Sequence, residues 1–165
     1  MRYAQIRDCD IANGAGIRVS LFVQGCTKRC VGCFNPETWD FAGGKHWTKQ
    51  IEEEFLALIE KDYIQGVTIL GGEPLDMQNR EEVTKLAEKV KRCYPQKDLW
   101  LYSSYTWEEL IKDKAEVLNY LDVLIDGPFV IEKKDLTLKF RGSSNQRVID
   151  VAASLEKEKI VLFLE

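Results

Sequence analysis

Apolar residues recur along this chain with two periods. At Ile51, Phe55, Leu58 and Ile59 they mark one face of a helix, with Thr48 placed as its N-cap. Residues 81–92 repeat the helical period with Val83, Leu86, Ala87 and Val90 turned inward. Thr106-Trp107-Glu108-Glu109 has the form of a capping box and opens a third helix, and Ser154 is expected to cap a short, charged fourth. Between these lie short β-branched or aromatic runs at 18–23, 66–70, 99–102, 122–126 and 160–164. They read as strands, the first beginning at Arg18 after a Gly/Asn turn and the second a buried parallel one. Strands alternating with helices predict an α/β fold with a largely parallel sheet. The βα units are too few to close an eight-fold barrel. The expected architecture is therefore a partial, open β/α barrel. No repeat or linker divides residues 1–165, so one domain is expected.

Chemistry gathers where these strands end. After 18–23 comes Gly25-Cys26-Thr27-Lys28-Arg29-Cys30-Val31-Gly32-Cys33-Phe34-Asn35, with three of the chain's five cysteines spaced C-x3-C-x2-C. Thiolates suit zinc, copper(I) or iron–sulfur clusters. Three thiols in so short a run would crowd one another without a shared ligand. A zinc site closes with four protein ligands, which here would require Cys9 or His46. A four-iron cluster held by three cysteines keeps one iron open to a small molecule. Gly25 and Gly32 let the backbone come close and aim N–H groups at sulfur, and Lys28 and Arg29 are expected to lower the thiol pKa values. Cys9, ahead of the first strand, and Cys93, at a helix end, lie outside ligand spacing.

Residues 66–70 end in Gly71-Gly72-Glu73-Pro74. In isolation this is an ordinary βα turn. Beside the cysteine loop on the same rim, its carbonyls and the Glu73 carboxylate become acceptors suited to an ammonium group. The strand at 99–102 ends in Ser103-Ser104-Tyr105, and 122–126 ends in Asp126, which fits either a ligand-side group or a turn aspartate before Gly127-Pro128. The polar run Arg141-Gly142-Ser143-Ser144-Asn145-Gln146-Arg147 is of a kind found at binding surfaces.

Composition narrows the field. Net charge is −4, which argues against general nucleic-acid affinity. No apolar run is long enough to span a bilayer. The first ten residues lack the apolar core of a signal peptide, so a cytoplasmic protein is expected. Five cysteines there, an odd number, point to ligands or free thiols rather than disulfides.

C-x3-C-x2-C is the pattern of radical S-adenosylmethionine (SAM) enzymes, and the resemblance extends further. Asp10-Ile11-x-Asn13-Gly14-x-Gly16-x-Arg18, the cysteine loop with Thr38-Trp39, Gly71-Gly72-Glu73-Pro74, Asp126-Gly127-x-Phe129 and Arg141 to Gln146 together resemble the activating proteins of anaerobic (class III) ribonucleoside-triphosphate reductases. That resemblance implies a [4Fe-4S] cluster on Cys26, Cys30 and Cys33, with SAM chelating the fourth iron. It implies that Gly71, Gly72 and Glu73 receive the SAM amino group, and, by weaker analogy, that Asp126 lies near the SAM carboxylate or a bound cation. Ser103, at the end of its strand, joins the cofactor-binding set. Many members of the superfamily place an aromatic residue before the third cysteine to pack on adenine. Gly32 stands there in this chain, and Phe34 is the possible substitute. The implied partners are the reductase catalytic subunit, as protein substrate, and a flavodoxin or ferredoxin-type electron donor. Two rival readings are a short radical SAM enzyme acting on a small molecule and a zinc-stabilised interaction domain.

Overall fold

In the computed structural model, which describes residues 1–164, every strand belongs to a single sheet. The strands are β1 (Arg2–Asp10), β2 (Arg18–Val23), β3 (Lys45–His46), β4 (Gly66–Gly71), β5 (Asp98–Tyr102), β6 (Val123–Asp126), β7 (Arg147–Asp150) and β8 (Leu162–Leu164). The helices are α1 (Lys49–Ile59), α2 (Arg80–Cys93), α3 (Trp107–Lys112) and α4 (Val151–Lys157). Strand order is β3-β1-β2-β4-β5-β6-β7-β8, and the sheet stays open.

The sheet is more mixed than the alternation of elements suggested. β2, β4, β5 and β6 pair in parallel at the centre. On both flanks pairing is antiparallel: β1 with β2 and β3, β7 with β6 and β8. Three of the flanking strands, β1, β3 and β7, were not expected. β1 precedes the supposed first strand, and its sequence RYAQIRDCD exposes much of one face, so it lacks a continuous apolar run. β7 is short and has charged residues at both ends.

Alternating residues divide the sheet into two faces. Val19, Leu21, Val67, Ile69, Leu99, Leu101, Leu124 and Ile149 join Phe55, Ile59, Val83, Leu86, Val90 and Leu110 of the helices in the main core. The opposite face holds a small cluster of Trp100, Val123, Ile125 and Val148, packed by Ala15, Tyr102, Phe140 and Leu164. Thr48 caps α1 through Ile51 N–H, and Thr106 and Glu109 form the expected capping box. α4 is capped by Asp150 instead of Ser154, whose hydroxyl donates to the Asp150 carbonyl and accepts from Val161 N–H. Ser154 lies inside the helix, where a buried hydroxyl ties the chain end back. Among the described residues no helix is long and apolar enough to cross a membrane.

The stretch from Asp10 to Arg18 is more than a turn. It folds over the helix-free face. Asp10 accepts from Ala12 N–H and from the Asn13 and Ser20 side chains, which hold its carboxyl below the usual range although burial opposes them. Arg18 is fully buried, donates to Thr68, Val67 and Ala15, pairs with Asp98 and lies over the Trp100 ring.

Candidate functional site

Parallel strands end at one rim of the sheet, and their connecting loops meet there. β2 runs into the cysteine loop and β4 into Gly71-Gly72-Glu73. Gly72 N–H donates to Val23 carbonyl at 2.9 Å and Glu73 N–H to Gly25 carbonyl at 2.8 Å, so the two turns are bolted together. A Cβ on Gly72 would stand 2.5 Å from the Gly25 carbonyl oxygen and 2.8 Å from that of Thr38, so this approach requires glycine. A single 3-10 turn, Pro36–Thr38, carries the chain out of the loop, and Gly25 and Cys26 donate to Thr38 and Trp39 carbonyls.

The result is a cavity of about 150 Å³ lined by Cys26, Cys30, Cys33, Gly71, Gly72, Glu73 and Ser103. Sequence alone had pointed to every one of these residues. Tyr102, Ser104, Leu70 and Gln146 add to the wall, with Asn35, Gly127 and Phe129. Leu70 and Tyr102 could have been found by parity, since each falls on the alternate position of its strand that faces away from the helices. A wider hollow of about 520 Å³ adjoins the first and shares Asn35, Leu70, Tyr102, Phe129 and Gln146 with it. That hollow lies along the helix-free face. Burial pushes the Tyr102 phenol well above its ordinary pKa, Asp10 adds to the rise and Arg18 offsets part of it.

Cys26 is buried, whereas Cys30 and Cys33 are half-buried. Burial raises the Cys26 thiol pKa, and backbone N–H groups of Arg29 and Lys28 pull it partly back. The expected lowering by the Lys28 and Arg29 side chains is not what dominates there. Lys28 lies over the Tyr105 ring at 4.5 Å and Arg29 over Trp39 at 6.0 Å. Among the described residues no three Cys, His, Asp or Glu side chains are grouped tightly enough to grip a single metal ion. The three thiols instead line a shared cavity. That donor set fits a polynuclear iron–sulfur cluster better than a closed tetrahedral zinc. Cys9, exposed on β1, and Cys93, exposed at the end of α2, are outside it.

Asp126 is placed differently from the other expected residues. It is 1% exposed and accepts from Trp107 N–H at 2.7 Å and from the Arg147 guanidinium at 2.5 and 3.0 Å. Its carboxylate faces that pair, and its neighbour Gly127 lines the cavity. Phe34 is half exposed, stacked at 5.0 Å on Phe129 in a tilted pair, and lines the wider hollow. The Arg141 to Arg147 run is a folded loop. The Gln146 side chain accepts from Gly142 and Ser143 N–H and donates to Gly127 carbonyl, and Asn145 donates to Pro128 carbonyl.

Residues 12–149 match the family model described as a 4Fe-4S single cluster domain. Over 150 residues the chain is 44% identical to the anaerobic ribonucleoside-triphosphate reductase-activating protein of Enterobacteria phage T4, covering 90% of this chain and 93% of that protein. The chain belongs to the family of anaerobic ribonucleoside-triphosphate reductase-activating proteins. Activating proteins of the same name from Vibrio cholerae and Escherichia coli K12 are each 39% identical, over 88% and 90% of this chain and 96% and 97% of theirs. In this activating-protein family member, the matched 4Fe-4S region contains Cys26, Cys30, Cys33, the Gly71-Gly72-Glu73 turn and Gln146.

Proposed function

We propose that the chain is a radical SAM activase for an anaerobic ribonucleotide reductase, an oxidoreductase built as one cytoplasmic radical SAM domain. The observation that carries this reading is the single cavity shared by the three cysteines and the Gly71-Gly72-Glu73 turn. Cys26, Cys30 and Cys33 would hold a [4Fe-4S] cluster whose fourth iron is left to SAM. Bound there, the cluster would supply the one-electron reductive cleavage of SAM from which hydrogen abstraction at a glycine of the reductase would follow.

The chain's own residues do the rest. Gly71, Gly72 and Glu73 wall the side of the cavity that would take the methionine end of SAM, with Ser103 beside them. Leu70, Tyr102 and Phe129 line both the cavity and the wider hollow, and Phe34 offers a ring in that hollow for adenine. The helix-free face leaves that hollow open sideways, which suits a glycine-bearing segment of a protein partner rather than an enclosed metabolite. Asp126 contributes through its pairing with Arg147 beneath Gly127. Electrons would come from a flavodoxin or ferredoxin-type donor. The test is anaerobic reconstitution with iron and sulfide, followed by SAM and dithionite. Formation of 5′-deoxyadenosine and methionine is expected. Zinc without sulfide in protein purified free of oxygen, with no cleavage, would refute the proposal.

A further inference from the structure

Glu73 lines the cavity and is 1% exposed. Its Oε1 accepts from Ser104 N–H at 2.6 Å and from the Ser104 hydroxyl at 2.7 Å. Its Oε2 accepts from Leu75 N–H and from the Ser103 hydroxyl, both at 2.8 Å. An ionised carboxylate offers about four acceptor positions, and this chain fills them all. Ser103 and Ser104 follow β5, whereas Glu73 follows β4, so the carboxylate ties together the ends of two neighbouring parallel strands.

We propose that Glu73 is a positioning residue and does not itself take the ammonium group of SAM. Its carboxylate clasps the β5 end, and the clasp fixes the Gly71-Gly72 backbone, whose carbonyls receive the ammonium. This rests on the SAM reading above. The main chain around Glu73 is as fully engaged in hydrogen bonds as its side chain. Glu73 N–H is spent on the Gly25 carbonyl and the Glu73 carbonyl accepts from the Asn79 side chain at 3.1 Å. Ser103 N–H in turn donates to the Ile125 carbonyl at 2.9 Å, which extends the tie to β6. Turning the carboxylate toward a ligand would strand donors that are buried or half-buried, and an unmet buried donor is expensive. Burial raises the Glu73 pKa, and the Ser104, Leu75 and Ser103 donors act against that rise, as expected of an acid whose hydrogen bonds are made within the fold.

The test compares SAM with its analogue in which hydrogen replaces the α-amino group, both bound to the reconstituted holoprotein and measured by equilibrium dialysis. Glu73→Ala should weaken both ligands by the same factor, about tenfold for a loss near 1.4 kcal/mol. The Ser103→Ala/Ser104→Ala double variant should reproduce that loss. Glu73→Gln keeps an acceptor oxygen for Ser104 but turns an amide N–H toward Leu75 N–H, so it should recover only part of the affinity lost in Glu73→Ala. A loss confined to SAM, with the analogue bound equally by wild type and Glu73→Ala, would reveal direct ammonium contact and overturn the proposal. Amide hydrogen exchange in the protein without SAM judges the clasp independently. Ser104 and Leu75 amides should exchange faster in Glu73→Ala, and unchanged protection would overturn the clasp. A wild-type holoprotein that binds neither ligand would sink the SAM reading, while the exchange data would still decide the clasp.

Discussion

The two faces of the sheet are built on different principles. Under the helices, Val, Leu and Ile side chains of β2, β4, β5 and β6 interlock with α1, α2 and α3 in a dry core. On the other face Arg18, Ser20, Thr68 and Asp10 are buried, and their polar atoms are met by one another and by the backbone of residues 12–15. The first face carries the stability that any fold of this size needs. The second accepts the cost of buried polar groups and keeps space beside the cysteines. Damage to the two faces should therefore separate stability from chemistry.

The largest effect is expected at the rim of the open face. Serine at Cys26, Cys30 or Cys33 should abolish SAM cleavage and leave the cluster labile, with the circular dichroism of the fold retained. Cys9→Ser and Cys93→Ser should keep iron, sulfide and cleavage. Iron loss in Cys9→Ser with a redox-active cluster kept in Cys30→Ser would invert the scheme. Next in size is the reverse experiment on the helical face. Leu101→Ala empties a fully buried position and should cost about 2–5 kcal/mol in urea unfolding, with cleavage per folded molecule unchanged.

A smaller effect is expected where loop and site meet. Replacing Asn145 and Gln146 by alanine removes the bonds to Gly142, Ser143, Gly127 and Pro128. Part of that loop can turn to water, so stability should fall by only about 1–2 kcal/mol. Activation of the reductase should fall more steeply than the melting temperature, and the opposite order would make the loop purely structural. The smallest effect is a pH dependence. The bond from Arg147 holds the Glu108 carboxyl below its ordinary value. A depressed folded-state pKa contributes stability above the unfolded value of 4.5 and loses it as pH falls through the folded one. Glu108 is largely exposed, so Glu108→Gln should only flatten the acid limb of the stability curve slightly.

The same division explains what could be read from sequence. Helices α1, α2 and α3 and the four central strands follow from apolar period and caps, because the helical face is built from little else. β1, β3 and β7 escaped because they are flanking strands with charged and polar positions, for which neither an apolar run nor strict alternation exists, and β3 is only Lys45–His46. The cysteine loop and the Gly71-Gly72-Glu73 turn were legible from residue type and from their places after strands. The filled valence of Glu73 was not. Nothing in Gly-Gly-Glu-Pro says that Ser103 and Ser104, thirty residues on, will supply three of its four donors. Arg18 shows the same limit. In sequence it only closes a Gly/Asn turn, yet its partners Thr68 and Asp98 lie on neighbouring strands and make it an internal strut.

The most direct test of the account mixes the anaerobically reconstituted protein with its cognate reductase, SAM and a reductant, and follows electron paramagnetic resonance. The account predicts a glycyl radical on the reductase that depends on SAM and on Cys26, Cys30 and Cys33. SAM cleavage at full rate with no radical on the reductase, or a radical that survives Cys30→Ser, would contradict it.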